Sequence, residues 1–97
     1  MKVRLRFFGI FGSAAGASEI ELEIASEAPT VKSTIQQLAF RPEFHDLKEL
    51  LLNSQTSDPR PNALIMVSGR EISALNGLDT NLTENDELLL LPIAHGG

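Results

Sequence analysis

The stretch Asn85-Asp86-Glu87-Leu88-Leu89-Leu90-Leu91-Pro92-Ile93-Ala94-His95-Gly96-Gly97 decides how this 97-residue chain is read. The pair Asn85-Asp86 turns the chain into a strand over residues 87–91. Both alternating sets of that strand are apolar, as a central strand requires when each of its faces is covered. Two glycines then close the sequence. Glycine has no Cβ, so a Gly96-Gly97 end can lie extended in a channel too narrow for other residues and leave the carboxyl of Gly97 nearly unhindered. The ending directs attention to that carboxylate as the functional group. Chance alone gives two successive glycines in roughly half a percent of chains, so a frayed end is the plain alternative.

Working outward, residues 2–8 set Val3, Leu5 and Phe7 on one face and Lys2, Arg4 and Arg6 on the other, the period of a half-buried strand. Residues 19–24 repeat the alternation with Ile20, Leu22 and Ile24 inward and Glu19, Glu21 and Glu23 outward. Antiparallel pairing of the two would set bases opposite acids and disfavour wrong registers. The Gly- and Ala-rich residues 9–18 between them read as a flexible hairpin connection. Thr30, after Pro29, is a candidate N-cap for a helix carrying Val31, Ile35 and Leu38 inward and Lys32, Gln36 and Gln37 outward. Arg41-Pro42 interrupts it, and a second helical piece over residues 42–52 aligns Phe44, Leu47, Leu50 and Leu51. Residues 53–62 read as the best loop in the chain and its first site of disorder. Ala63–Val67 is a strand apolar on both faces, Ser68-Gly69 and Asn76-Gly77 are turns, and Leu75, Leu78 and Leu82 anchor an irregular stretch. The order is ββαββ in a single domain.

Composition limits the chemistry. The absence of cysteine removes disulfides, thiol nucleophiles and Cys-ligated zinc, and fits a reducing cytoplasm. A net charge of −5 argues against nucleic acid or an anionic membrane as partner, since each needs a basic patch. Basic residues before Phe7-Phe8-Gly9-Ile10-Phe11 imitate a signal peptide, but they alternate with apolar ones as a strand does, and no apolar run approaches the roughly 20 residues of a membrane span. Gly9, Gly12 and Gly16 match no phosphate-binding fingerprint. His45, Asp46 and Glu49 form a solvated helix face rather than a metal site. His95 has no orienting carboxylate and reads as a recognition residue. No nucleophile, base and orienter come together, so the chain reads as a substrate or carrier and not an enzyme.

The ββαββ order, the segment Leu78-Asp79-Thr80-Asn81-Leu82 and the close from Asn85-Asp86-Glu87 to Gly97 resemble the ubiquitin-like sulfur-carrier and modifier proteins, the group of MoaD, ThiS, the ubiquitin-related modifier and the small archaeal modifiers. Asp86, Glu87, Pro92, Gly96 and Gly97 match that group's pattern, while Asn85 stands where glycine is usual; asparagine tolerates the left-handed conformation such a turn would need. The resemblance implies an α+β β-grasp fold: a mixed sheet of four to five strands on one main helix with a second short helix. It implies a domain over residues 1–93 and a flexible Gly-Gly tail over residues 94–97. It also implies that an E1-like enzyme, using ATP, adenylates Gly97, and that the product becomes a thiocarboxylate or an isopeptide on a target lysine. In that reading Gly96 gives the tail access, Ile93, Ala94 and His95 are recognised, and no cofactor is bound by this chain, which acts as a cytoplasmic monomer. The thiocarboxylate would serve tRNA thiolation or molybdopterin synthesis, the latter through the large subunit of the synthase. Pro92-Ile93-Ala94-His95 departs from the molybdopterin carriers, and His95-Gly96-Gly97 is closer to the ubiquitin-related modifier. The competing class is a non-covalent binding module with an incidental Gly-Gly end.

An activating enzyme needs a surface as well as a carboxylate. Residues Lys2, Arg4, Arg6, Glu19, Glu21 and Glu23 close the outer face of the first two strands to apolar contact. On the others, Leu64 and Met66 or Ile65 and Val67 must point outward, together with Leu88 and Leu90 or Leu89 and Leu91, and the sequence does not phase them.

Overall fold

Opposite charge on two alternating strands closes the first hairpin. In the computed structural model, which describes residues 1–93, β1 (Lys2–Phe7) pairs antiparallel with β2 (Glu19–Glu23), setting Lys2 opposite Glu23, Arg4 opposite Glu21 and Arg6 opposite Glu19. Val3, Leu5, Phe7 and Leu22 are buried beneath them. The last strand, β5 (Glu87–Pro92), runs parallel to β1 with Leu5 beside Leu88 and Phe7 beside Leu90. Its other edge takes β3 (Ala63–Val67) antiparallel, and β4 (Arg70–Glu71) completes the sheet in the order β2-β1-β5-β3-β4. The mixed five-stranded sheet therefore has β5 at its centre, as its two apolar faces require.

One layer of helices covers the inner face. α2 (Val31–Phe40) starts at Thr30, whose Oγ1 accepts from the Ser33 N–H (3.0 Å) while the Thr30 N–H donates to Ser33 Oγ (2.8 Å). This reciprocal cap satisfies two backbone N–H donors at the helix start. Val31, Ile35 and Leu38 enter the core from α2, and Leu47 and Leu51 from α3 (His45–Leu51), which follows a 3₁₀ turn over Pro42–Phe44. Leu50, expected on the same stripe, is instead exposed, because the helix begins only after the 3₁₀ turn and its apolar face narrows to Leu47 and Leu51.

Three expectations are corrected. Residues 9–18 are not a flexible connection: they hold α1 (Ile10–Ala15), whose Phe11 is buried in the core. Gly9 (φ 54°) admits the chain to this helix, and Gly16 (φ 74°) ends it with an N–H donated to the Gly12 carbonyl (3.0 Å). The glycines are there for backbone geometry, since left-handed φ is costly with a Cβ. Residues 53–62 form hydrogen-bonded turns and not a disordered loop. Asn53 Oδ1 accepts from the N–H groups of Gln55 (2.9 Å) and Thr56 (3.0 Å), and Asn62 Nδ2 donates to the Leu51 carbonyl (3.2 Å). Lastly, Asn85 needs no left-handed backbone. Among the described residues the only non-glycines with positive φ are Ser57 and Ser68, and the turn before β5 closes through an Asp86 N–H donated to the Thr83 carbonyl (3.0 Å).

Candidate docking face and C-terminal segment

Strand register settles which leucines face outward. Leu88 and Leu90 are fully buried, as are Ile65 and, nearly so, Val67, so these four of the eight patch candidates belong to the core. Leu89 and Leu91 point to the opposite side, where Met66 lies across from Leu89 and Leu64 from Leu91. Leu64 is 39% exposed, and Met66, Leu89 and Leu91 are half-buried. Two adjacent cross-strand pairs thus make one apolar strip on the centre of the outer face. Fully burying a leucine against a partner contributes roughly 1.5–3 kcal/mol.

Charge borders the strip. On its β1 side Arg6 lies beside Leu89 and Arg4 beside Glu87. The Glu87 carboxylate lies 3.6 Å from Arg6 and 3.9 Å from Arg4, and Arg4 lies 3.2 Å from Glu19. These groups are exposed enough for water to screen each pair, so they orient a partner more than they stabilise the fold. The Arg6 guanidinium also sits 5.4 Å from the ring centre of Phe8. Phe8 donates its N–H to the Leu90 carbonyl (3.1 Å) one residue beyond the Phe7–Leu90 pair, which extends the bordered surface toward the end of β5. Sequence reading passed over Phe8; the continued alternation after Phe7 was the signal for it.

Both ends of β5 are fixed. At the start, Ser68 Oγ donates to Asp86 Oδ1 (2.8 Å), and Asp86 Oδ2 accepts from the Thr83 N–H (2.8 Å) and hydroxyl (3.0 Å). The Ser68 N–H donates in turn to the Glu87 carbonyl (2.8 Å). Partial burial pushes the Asp86 carboxyl up, but the hydrogen bonds from Thr83 and Ser68 outweigh it and hold the group below the usual carboxylate value. At the far end the Ile93 N–H donates to the Asn62 carbonyl (3.0 Å), leaving the Ile93 side chain 42% exposed where the chain leaves the sheet. A Cβ on Gly9, the residue before α1, would come within 3.2 Å of Pro92 Cγ, so the start of α1 packs close to the end of β5. Ala94, His95, Gly96 and Gly97, the remaining tail residues, lie outside the described residues.

Among the described residues no group of three or more His, Asp and Glu side chains is placed to hold a metal, and His45 meets only Glu49, 3.9 Å away across one helical turn. No helix among them is long and apolar enough to cross a membrane. A β-grasp sheet over a capped helix, with its central strand delivering the C-terminal segment, defines a ubiquitin-like domain. Residues 5–97 match the ThiS family, and the chain belongs to that family of ubiquitin-like modifiers and sulfur carriers, which are not themselves catalysts. Along its full length the chain is 28% identical to the whole of small archaeal modifier protein 3 of Haloferax volcanii. SAMP1 from Haloferax volcanii superposes with a TM-score of 0.82 at 16% identity, each chain covered completely. A complex of subunits 1 and 2 of the molybdopterin-converting factor from Helicobacter pylori contains a chain that matches with a TM-score of 0.62 at 23% identity, again over the whole of both. At these identities the two structures speak for the fold.

Proposed function

We propose that the Gly97 carboxylate is the group this protein carries, and that the Leu64, Met66, Leu89 and Leu91 strip docks the enzymes that act on it. A cytoplasmic E1-like enzyme binds the outer face and feeds the tail, through Ile93, Ala94, His95 and Gly96, into its own site. There the carboxylate attacks the α-phosphorus of ATP and pyrophosphate leaves, so a poor leaving group is replaced by AMP in a mixed anhydride. A sulfur donor then displaces AMP on the way to a thiocarboxylate, or a target lysine amine displaces it to form an isopeptide bond. ATP belongs to the activating enzyme, and this chain binds no cofactor of its own.

The observation that carries the reading is that the outward apolar strip lies on β5 itself, the strand continuous with the C-terminal segment. Docking and delivery are therefore mechanically one event. Family membership supports the carrier chemistry, and the two-subunit Helicobacter pylori complex is a precedent for a domain of this fold engaging a protein partner. Activation is tested by incubating the chain with a cognate E1-like enzyme, ATP and a sulfur donor, following pyrophosphate release and the intact mass. The expected product gains one oxygen-to-sulfur exchange at the C-terminus. Deletion of Gly97, or Gly96→Val, is expected to abolish both signals; undiminished activation of the Gly97-deleted chain would overturn the assignment of the carried group to Gly97, and absence of both signals in the parent chain would return the protein to the class of non-covalent binding modules.

A further inference from the structure

A second surface lies on the other side of the molecule. The outward sides of α2 and α3, with the turns of residues 53–62, enclose a groove of about 560 Å³ whose apolar lining includes Leu52, Leu78 and Phe40. Phe40 is 88% exposed, the most exposed large apolar side chain among the described residues. Nothing in the packing of α2 calls for a phenylalanine there, because its inward positions are already filled by Val31, Ile35 and Leu38.

The charge of the groove runs against that of the chain. The protein has 13 acidic and 8 basic residues, yet two of its three lysines, Lys32 and Lys48, line this one groove, and among the described residues neither enters an ion pair. The one carboxylate in the lining, Asp58, is occupied. Arg60 binds it in a fork, Nη2 to Oδ2 at 2.7 Å and Nε to Oδ1 at 3.0 Å, and that arginine hydrogen bond holds the Asp58 carboxyl below its usual range. The fork is neutral as a unit, so the groove presents two free ammonium groups beside a bare ring. Such a surface complements carboxylates flanking an apolar side chain, with the apolar anchor giving affinity and the charges giving orientation.

We propose that this groove docks a short acidic segment of a partner protein, one aromatic or branched apolar side chain of which packs on Phe40 while its carboxylates meet Lys32 and Lys48. Because the groove lies on the helical layer and the leucine strip on the opposite face of the sheet, both surfaces can be occupied at once. A partner held on the helices leaves the C-terminal segment free to react. The inference is independent of the chemistry proposed for Gly97, since it requires no activation.

Random short peptides displayed for selection on the whole chain, followed by an amide-shift titration with the selected peptide, test it. Enrichment of acidic peptides carrying an apolar residue is expected, with shifts at Lys32, Gln36, Phe40 and Lys48. Binding should weaken about tenfold in the Lys32→Glu/Lys48→Glu chain and several-fold in Phe40→Ser, as loss of paired charges and of an anchor predicts. All three side chains are exposed, so the variants keep the fold, and deletion of Gly97 should leave affinity unchanged. The proposal is overturned by selected peptides that are neutral or basic, by an absence of enrichment, or by shifts that fall on Leu64 and Leu89. Equal binding to the charge-reversed chain, or Phe40-dependent self-association in sedimentation, overturns it as well.

Discussion

Ser68 and Asp86, 18 residues apart, are joined by a 2.8 Å hydrogen bond that ties the β3–β4 turn to the start of β5. The Asp86 carboxylate also holds Thr83, so one ionised group organises two turns. Its folded pKa is depressed, which means that its stabilisation is fully present above the unfolded value of about 3.9 and is lost as the pH falls through the folded value. Asp86→Asn should cost about 1–2 kcal/mol near neutrality. Urea denaturation of both chains at neutral pH and again well below the carboxylate range checks this. The gap between them should close in acid, and a gap of constant size would show that the charge of Asp86 is not what stabilises the turns.

The helix α1 makes a strong claim about residues 9–18. Phe11 is 1% exposed, and its replacement by alanine should cost about 3–5 kcal/mol, as for other aromatic residues cut back in a core. Gly9→Ala places a Cβ at φ 54° and 3.2 Å from Pro92 Cγ, and should cost about 1 kcal/mol or more. Thermal and denaturant unfolding measure both. A flexible connection would tolerate either change with a loss near zero.

The phase of β5 separates docking from folding. Leu89→Ser/Leu91→Ser should keep the circular dichroism of the parent and weaken association with the activating enzyme by about tenfold or more, the loss of two partly buried leucines at an interface. Leu88→Ser/Leu90→Ser, in fully buried positions, should unfold the chain. Calorimetric titration against the enzyme reads the first pair and circular dichroism the second. Unchanged affinity in the folded Leu89/Leu91 variant excludes the strip as the docking face.

Thr30 offers a smaller and local effect. Thr30→Ala removes the side-chain acceptor for Ser33 and should lower stability by about 1 kcal/mol, while Thr30→Ser, which keeps the oxygen, should lower it little. Chemical denaturation distinguishes the two, and equal losses would assign the effect to the methyl group instead.

Much of this architecture is legible in the sequence, and the failures have physical reasons. Lys2, Arg4 and Arg6 against Glu19, Glu21 and Glu23 announced two strands and their pairing, because on a half-buried strand charge reveals which side is wet. Thr30 likewise announced α2. Leu88 to Leu91 gave no such contrast, and the choice between its two sets waited on the Phe7–Leu90 and Ile65–Leu90 registers. Gly9 and Gly16 misled because a glycine demanded by left-handed φ reads the same as one that confers freedom. The outward strip is one of the two alternative sets that each strand offered, and the groove beside Phe40 is not legible because Lys32, Lys48 and Arg60 are brought together only by the fold.

The side-by-side placement of β1 and β5 has a mechanical consequence. These strands lie nearest the two ends of the chain, run parallel and are hydrogen-bonded to each other, so tension applied between residues 1 and 93 loads their ladder in shear. Shear breaks the bonds of a ladder together, whereas an edge strand such as β2 or β4 can be peeled one bond at a time. Single-molecule pulling from the two ends should therefore meet a far higher rupture force than pulling from Lys2 and Glu23, which opens the antiparallel β1–β2 pair one bond at a time, and a protein linked through its C-terminus would resist being unravelled by the very bond that attaches it.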